Sequence, residues 1–258
     1  MLGKRKALVG FITAGDPTLP HTLPAMHALV EGGVDILELG IPFSDPEAEG
    51  PTIQASSERA LANHVTLKSV LGMVREFRKV NAETPVVLMG YLNSVLAMAD
   101  FPAAAQDAGV DGLIMVNLPP EEEHELQARL RDCEIDLIFL VAPTTTRERA
   151  QKIVQRSAGF IYYVSLKGIT GANHLVATDV GQNVAELQSL TDLPICVGFG
   201  IKDGATAAQI APLADGVVVG SALVQLMAEH ATDVDAAAGA LREAAAKLRA
   251  SIDGVDYA

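Results

Sequence analysis

The stretch LELGIPFSDPEAEGPTIQ, residues 37–54, sets one carboxylate, Glu38, inside an otherwise apolar run. It then crowds Asp45, Glu47 and Glu49 into a segment punctuated by Pro42, Pro46, Gly50 and Pro51. Side chains alternate along a strand, so Ile36, Glu38 and Gly40 share one face and Leu37, Leu39 and Ile41 the other. The all-aliphatic set suits a layer covered by helices, which turns Glu38 to the inside. An unpaired carboxylate there costs on the order of several kcal/mol, or takes up a proton. A carboxyl with a raised pKa is suited to exchanging protons near neutral pH. The plain alternative is a structural glutamate paired with a lysine or arginine. The three later acids stand at alternate positions, so on an extended segment they share a side, as part of a site or as a solvated loop.

The elements that position these residues recur along the whole chain. Strands are expected near 7–14, 35–41, 84–91, 112–117, 135–142, 160–166, 194–199 and 216–220, most of them continuously apolar, as strands covered on both faces are. Helical periodicity fills the gaps, notably at 67–81, 120–132 and 147–157, with starts marked by Thr66 and by Pro119-Pro120. The Ala-rich end, 236–252, reads as a terminal helix outside the barrel through Leu241 and Leu248. Eight strands with intervening helices predict a (β/α)8 TIM barrel, α/β in class, as one domain over residues 1–258. The rival is a doubly wound open sheet, weakened by the lack of a GxGxxG after the first strand. In a barrel, a loop continuing from Glu38 rises over the C-terminal mouth, where barrel active sites lie.

The formal charge of −13 disfavours nucleic acid, which needs a basic stripe. No apolar run approaches the roughly 18 residues of a membrane span. No signal peptide is visible, and Cys133 and Cys196 lack metal-site spacing, so a cytoplasmic protein with reduced thiols is expected. An anionic substrate would need a local device to hold it.

FITAGDP (11–17), the stretch 37–54, GITGA (168–172), GFGI (198–201) and VVGSALV (218–224) stand in the order and spacing of one family. Through them nearly the whole chain resembles the tryptophan synthase alpha subunit family. The resemblance implies retro-aldol cleavage of indole-3-glycerol phosphate to indole and glyceraldehyde 3-phosphate. It implies no metal or organic cofactor in this chain. It further implies a pyridoxal-phosphate-dependent beta subunit as partner, in an alpha2-beta2 complex. By motif, Glu38 matches the general acid/base and Glu49 the acceptor for the indole N–H. Phe11 and Tyr162 match the indole pocket, and Thr170 the residue that positions the loop acid. Gly171, Phe199, Gly200, Gly220 and Ser221 match the phosphate site after the seventh and eighth expected strands. There Ser221 opens a helix whose N-terminus favours negative charge. Asp45 and Pro46 match residues linking the site to the beta interface, and 167–180 matches a lid.

Three features depart from the family. Glu49 stands where Asp is common, and its extra methylene shifts the carboxylate by about 1 Å, enough to cost roughly a hundredfold in rate unless the loop compensates. Glu47 replaces an apolar residue, and matters only if it packs inward beside Glu49. The short segment before the first strand leaves little room for a helix under the barrel, and its loss exposes apolar surface there. These departures keep a second reading open: a catalytically weak alpha-like subunit that binds the phosphate ligand and chiefly activates beta. A third is a barrel acting on another phosphorylated substrate.

Overall fold

The computed structural model describes residues 5–122, 124–165, 173–198 and 200–255. Its strands are β1 (Ala7–Thr13), β2 (Ile36–Gly40), β3 (Val86–Gly90), β4 (Gly112–Met115) and β5 (Asp136–Ile138). They continue with β6 (Leu140–Val141), β7 (Ile161–Val164), β8 (Ile195–Gly198) and β9 (Gly216–Val219). All are parallel, in the order β5-β4-β3-β2-β1-β9-β8-β7-β6. The two ends of that order, β5 and β6, are one run of chain parted at Phe139, so the sheet closes into a barrel. Tyr162 spans the gap by donating its amide to the Phe139 carbonyl at 3.1 Å. The strand expected at 135–142 is therefore split, and the eightfold barrel is kept.

Alternation sorts the core into two layers. Val9, Val87, Ile114, Ile138, Phe160, Cys196 and Val218 fill the barrel, with Ile36 and Tyr162 packed on them. Leu37, Leu39 and Ile41 belong to the larger layer between strands and helices. Register places Glu38 between Phe11 on β1 and Val87 on β3, inside the barrel as its face of β2 requires.

Helix Leu67–Arg78 starts as its sequence predicts: Thr66 Oγ1 accepts from the Ser69 amide at 3.2 Å, and Val70, Leu71, Val74 and Phe77 are buried at helical spacing. The helix expected from Pro120 begins instead at His124, after a turn in which the Glu122 amide bonds the Pro119 carbonyl at 3.0 Å. Of the expected lid, 167–172 lie outside the described residues, and 173–180 are helical, within Asn173–Gln188. There Val180, Val184 and Leu187 bury one face, a periodicity that outweighs the polar residues between them.

The terminal helix Val234–Asp253 packs outside the barrel and is tied to its N-terminal end by a buried arginine. Arg249 Nη1 donates to Asp35 Oδ2 and to the Lys6 carbonyl, each at 2.9 Å, and its Nε donates to Asp253 at 2.9 Å. The same Asp35 Oδ2 accepts the Leu8 amide at 2.8 Å, so one carboxylate joins β1, β2 and this helix. A mainly apolar recess lined by Ile36, Pro85, Val87, Ile138, Phe160 and Pro194 opens at that end. Residues 1–4, which precede it, are outside the described residues.

Candidate active site

Glu38 is 1% exposed, and neither carboxyl oxygen has a hydrogen-bond partner among the described residues. The structural alternative, a glutamate paired with lysine or arginine, finds no counterpart among those residues. Burial pushes the carboxyl up to about 8, and the charge of Glu49 adds to the shift. An orphaned acid is costly at this depth and is poised to hold and release a proton near neutrality.

Glu49 stands at the end of the loop after β2, just before Gly50 caps helix Pro51–Ala62. It lines a cleft with Phe11, Thr13, Gly40, Ser57 and Tyr91, and burial raises it to about 7. Glu49 is thus near enough for its charge to bear on Glu38. Glu47 is exposed and points to solvent, so the inward packing that would have disturbed Glu49 does not occur. Asp45 is exposed and Pro46 half-buried on the same loop.

Two aromatic rings lean over glycines to flank Glu38. A Cβ on Gly40 would fall 2.7 Å from Phe11 Cζ, and one on Gly220 would fall 3.3 Å from Phe11 Cδ1. A Cβ on Gly198 would fall 2.7 Å from Tyr162 Cε1. Burial raises the Tyr162 phenol well above its ordinary value, and the charges of Glu38, Glu49 and Cys196 add to it. Gly198→Ala is expected to push this ring off its seat, costing about 1–3 kcal/mol by overpacking. Thermal melts should show that loss together with a raised KM, and wild-type values for both would show that the glycine is not needed.

On the opposite side, Gly200 adopts φ 84°, a left-handed conformation suited to glycine. Gly220 caps helix Ser221–Glu229, its carbonyl accepting the Leu223 amide at 2.9 Å, so the Ser221 and Ala222 amides are the ones that precede the helix's first bonds, and Ser221 is exposed at its start. These groups end β8 and β9, beside Phe11. Thr170, Gly171 and Phe199 lie outside the described residues. The fold thus brings together Phe11, Glu38, Glu49, Tyr162, Gly220 and Ser221 at one end of the barrel.

Sequence reasoning passed over Thr13 and Tyr91, which share the cleft with Glu49. Each stands at the C-terminal end of a barrel strand, which was the available signal. A second cavity of about 310 Å³ opens near Asn117, Leu118, Leu140, Thr145 and Val164, next to the split strand.

A family model described as tryptophan synthase alpha chain matches residues 1–253. A tryptophan synthase alpha chain from Thioalkalivibrio sulfidiphilus is 53% identical over 251 residues, covering 96% of this chain and 94% of its own. One from Burkholderia thailandensis is 53% identical over 252 residues, covering 97% and 92%. Among solved structures, the Legionella pneumophila tryptophan synthase alpha chain superposes with a TM-score of 0.89 at 43% identity, covering 99% of this chain and 94% of that one. The aminoacrylate-bound tryptophan synthase from M. tuberculosis gives 0.85 at 37% identity, covering 96% and 94%.

Proposed function

The chain belongs to the tryptophan synthase alpha chain family, and from that premise we propose that Glu38 and Glu49 divide the chemistry of its reaction. That reaction is the aldol-type cleavage of indole-3-glycerol phosphate, a carbon–carbon lyase step that yields indole and glyceraldehyde 3-phosphate. The alpha chain has no cofactor of its own; pyridoxal phosphate belongs to the beta subunit, its partner in the synthase complex.

Protonated Glu38 delivers its proton to indole C3, leaving positive charge on the ring. The resulting carboxylate takes the proton of the adjacent glyceryl hydroxyl. The carbon–carbon bond breaks, its electron pair returns to the ring and an aldehyde forms. Glu38 ends with one proton, as it began. Ionised Glu49 accepts a hydrogen bond from the indole N–H and stabilises the charge that C3 protonation creates. Phe11 and Tyr162 pack against the ring. Gly200, Gly220 and Ser221, together with Gly171 and Phe199, hold the phosphate at a helix N-terminus, and Thr170 steadies the Glu49 loop. Asp45 and Pro46 meet the beta subunit. The same reading takes residues 1–258 as one domain acting in the cytoplasm, in keeping with the free thiols of Cys133 and Cys196.

The observation that carries the assignment is the buried Glu38 carboxyl with no partner among the described residues. Its test is the pH dependence of kcat/KM. Turnover requires Glu49 ionised and Glu38 protonated. Activity is therefore expected to rise through about 7 and fall through about 8. Glu49→Gln should abolish the acid limb and cost about a hundredfold or more. A profile that stays flat from about one unit below 7 to about one unit above 8 would remove both roles.

A further inference from the structure

The segment between Pro46 and Gly50 carries Glu49, yet packing does little to hold it, because Asp45, Glu47 and Ala48 are exposed. A turn bond from the Glu49 amide to the Pro46 carbonyl, 3.0 Å, shapes it locally. Two side chains tie its backbone to the rest of the fold. Tyr91 Oη accepts the Ala48 amide at 3.2 Å. Gln54 Nε2 donates to the Glu49 carbonyl at 2.9 Å and reaches the Pro46 carbonyl at 3.4 Å.

The two anchors differ in origin. Tyr91 follows β3 directly, is 7% exposed, and stacks on Phe43 with ring centroids 4.6 Å apart and planes 14° from parallel. Its ring therefore braces the start of the loop while its hydroxyl holds the far end. Gln54 lies in the first turn of helix Pro51–Ala62 and its side chain folds back to the Glu49 carbonyl ahead of the helix. We propose that Tyr91 and Gln54 are positioning residues that clamp the Pro46–Gly50 segment from two sides and keep the Glu49 carboxyl in the cleft. This rests on the assignment of Glu49 above and adds how its geometry is enforced.

The physical need is plain. An ionised carboxylate gains hydration by swinging outward, and only a restrained backbone keeps it partly desolvated. Burial raises Glu49, and the ionisable groups that its charge acts on are Glu38 on β2, Tyr162 on β7 and Tyr91 after β3, none of them a cation. Without the clamp the loop relaxes toward water, and Glu49 returns toward ordinary carboxylate values.

Tyr91→Phe keeps the stack and removes the acceptor; Gln54→Ala removes the second tie. Each is to be assayed for indole-3-glycerol phosphate cleavage across the pH range, beside Glu49→Gln and with thermal melts. The expected result is about a tenfold loss in kcat for each, with KM little changed. The acid limb of the profile should also move to lower pH, and the double variant should show both effects more strongly. Unchanged activity, or a lower melting temperature with the acid limb unmoved, would overturn the clamp. If Glu49→Gln is severely impaired while both clamp variants keep the wild-type profile, the clamp fails and the role of Glu49 stands. If Glu49→Gln is fully active, the role of Glu49 fails and the clamp with it.

Discussion

Glu38→Gln is expected to lower kcat by about a thousandfold while making the protein more stable at alkaline pH. The first effect follows from removing the group proposed to carry the proton between hydroxyl and ring carbon, within the range that positioned acids and bases supply. The second follows from burial. The folded carboxyl titrates near 8 against an ordinary 4.5, because burial disfavours its charge and Glu49 adds repulsion. A raised value means that the folded state binds the proton more tightly. Its stabilising contribution is then complete below about 4.5 and is lost as pH rises through about 8. For a side chain 1% exposed, the loss approaches about 5 kcal/mol once ionised. Glutamine cannot ionise, so denaturant unfolding at acid and alkaline pH should show a smaller decline for the variant than for wild type. Equal declines would mean that Glu38 is not the buried acid its position implies. Gain of stability with loss of turnover is the expected trade at a site built around strain.

Arg59→Met is expected to destabilise the fold by about 2–4 kcal/mol at neutral pH, a loss that shrinks on acidification. Arg59 grips Asp16 with both arms, Nε to Oδ1 at 2.6 Å and Nη2 to Oδ2 at 3.0 Å, and Asp16 is fully buried. Removing the cation strands a carboxylate; the lower part of the usual range applies because Arg59 is itself 36% exposed. Burial already raises Asp16, and Arg59 and then His21 pull it back. Without Arg59 the folded value climbs further, so the variant's deficit is greatest above that value and fades as Asp16 takes a proton. Asp16→Asn in the same background should restore part of the loss. A deficit identical at acid and neutral pH would show that the lost packing of the arginine, not the stranded charge, is responsible. The pair also matters for the site, because it docks helix Pro51–Ala62 against the loop after β1. Asn63 Nδ2 assists by donating to the Pro17 carbonyl at 2.7 Å, and Thr13 and Ser56 hydroxyls meet at 2.6 Å.

Much of this was legible beforehand where the cause is local. Alternation along β2 put Glu38 inside, Thr66 started its helix, and the punctuation at Pro42, Pro46 and Gly50 kept the acidic stretch a loop. The motif resemblance named the family and its reaction, since those residues stand close together in sequence. Local signals misled where neighbours in space compete with them. Pro119-Pro120 suggested a helix start that the chain delays to His124, and the polar residues after Gly171 hid a helical face that buries Val180, Val184 and Leu187.

The sequence by itself determined the barrel, the inward face that holds Glu38 and the chemistry that such an acid can perform. Each of these depends on periodicity and residue type over a few neighbouring positions. Only the tertiary structure decided that Glu47 faces solvent, that Glu38 has no partner among the described residues, and that Tyr91 and Gln54 grip the Glu49 loop. Tyr91 meets Ala48 across 43 positions, as Asp16 meets Arg59. Burial and hydrogen bonding depend on which segments closure of the barrel brings together, and no pattern within one segment contains that information.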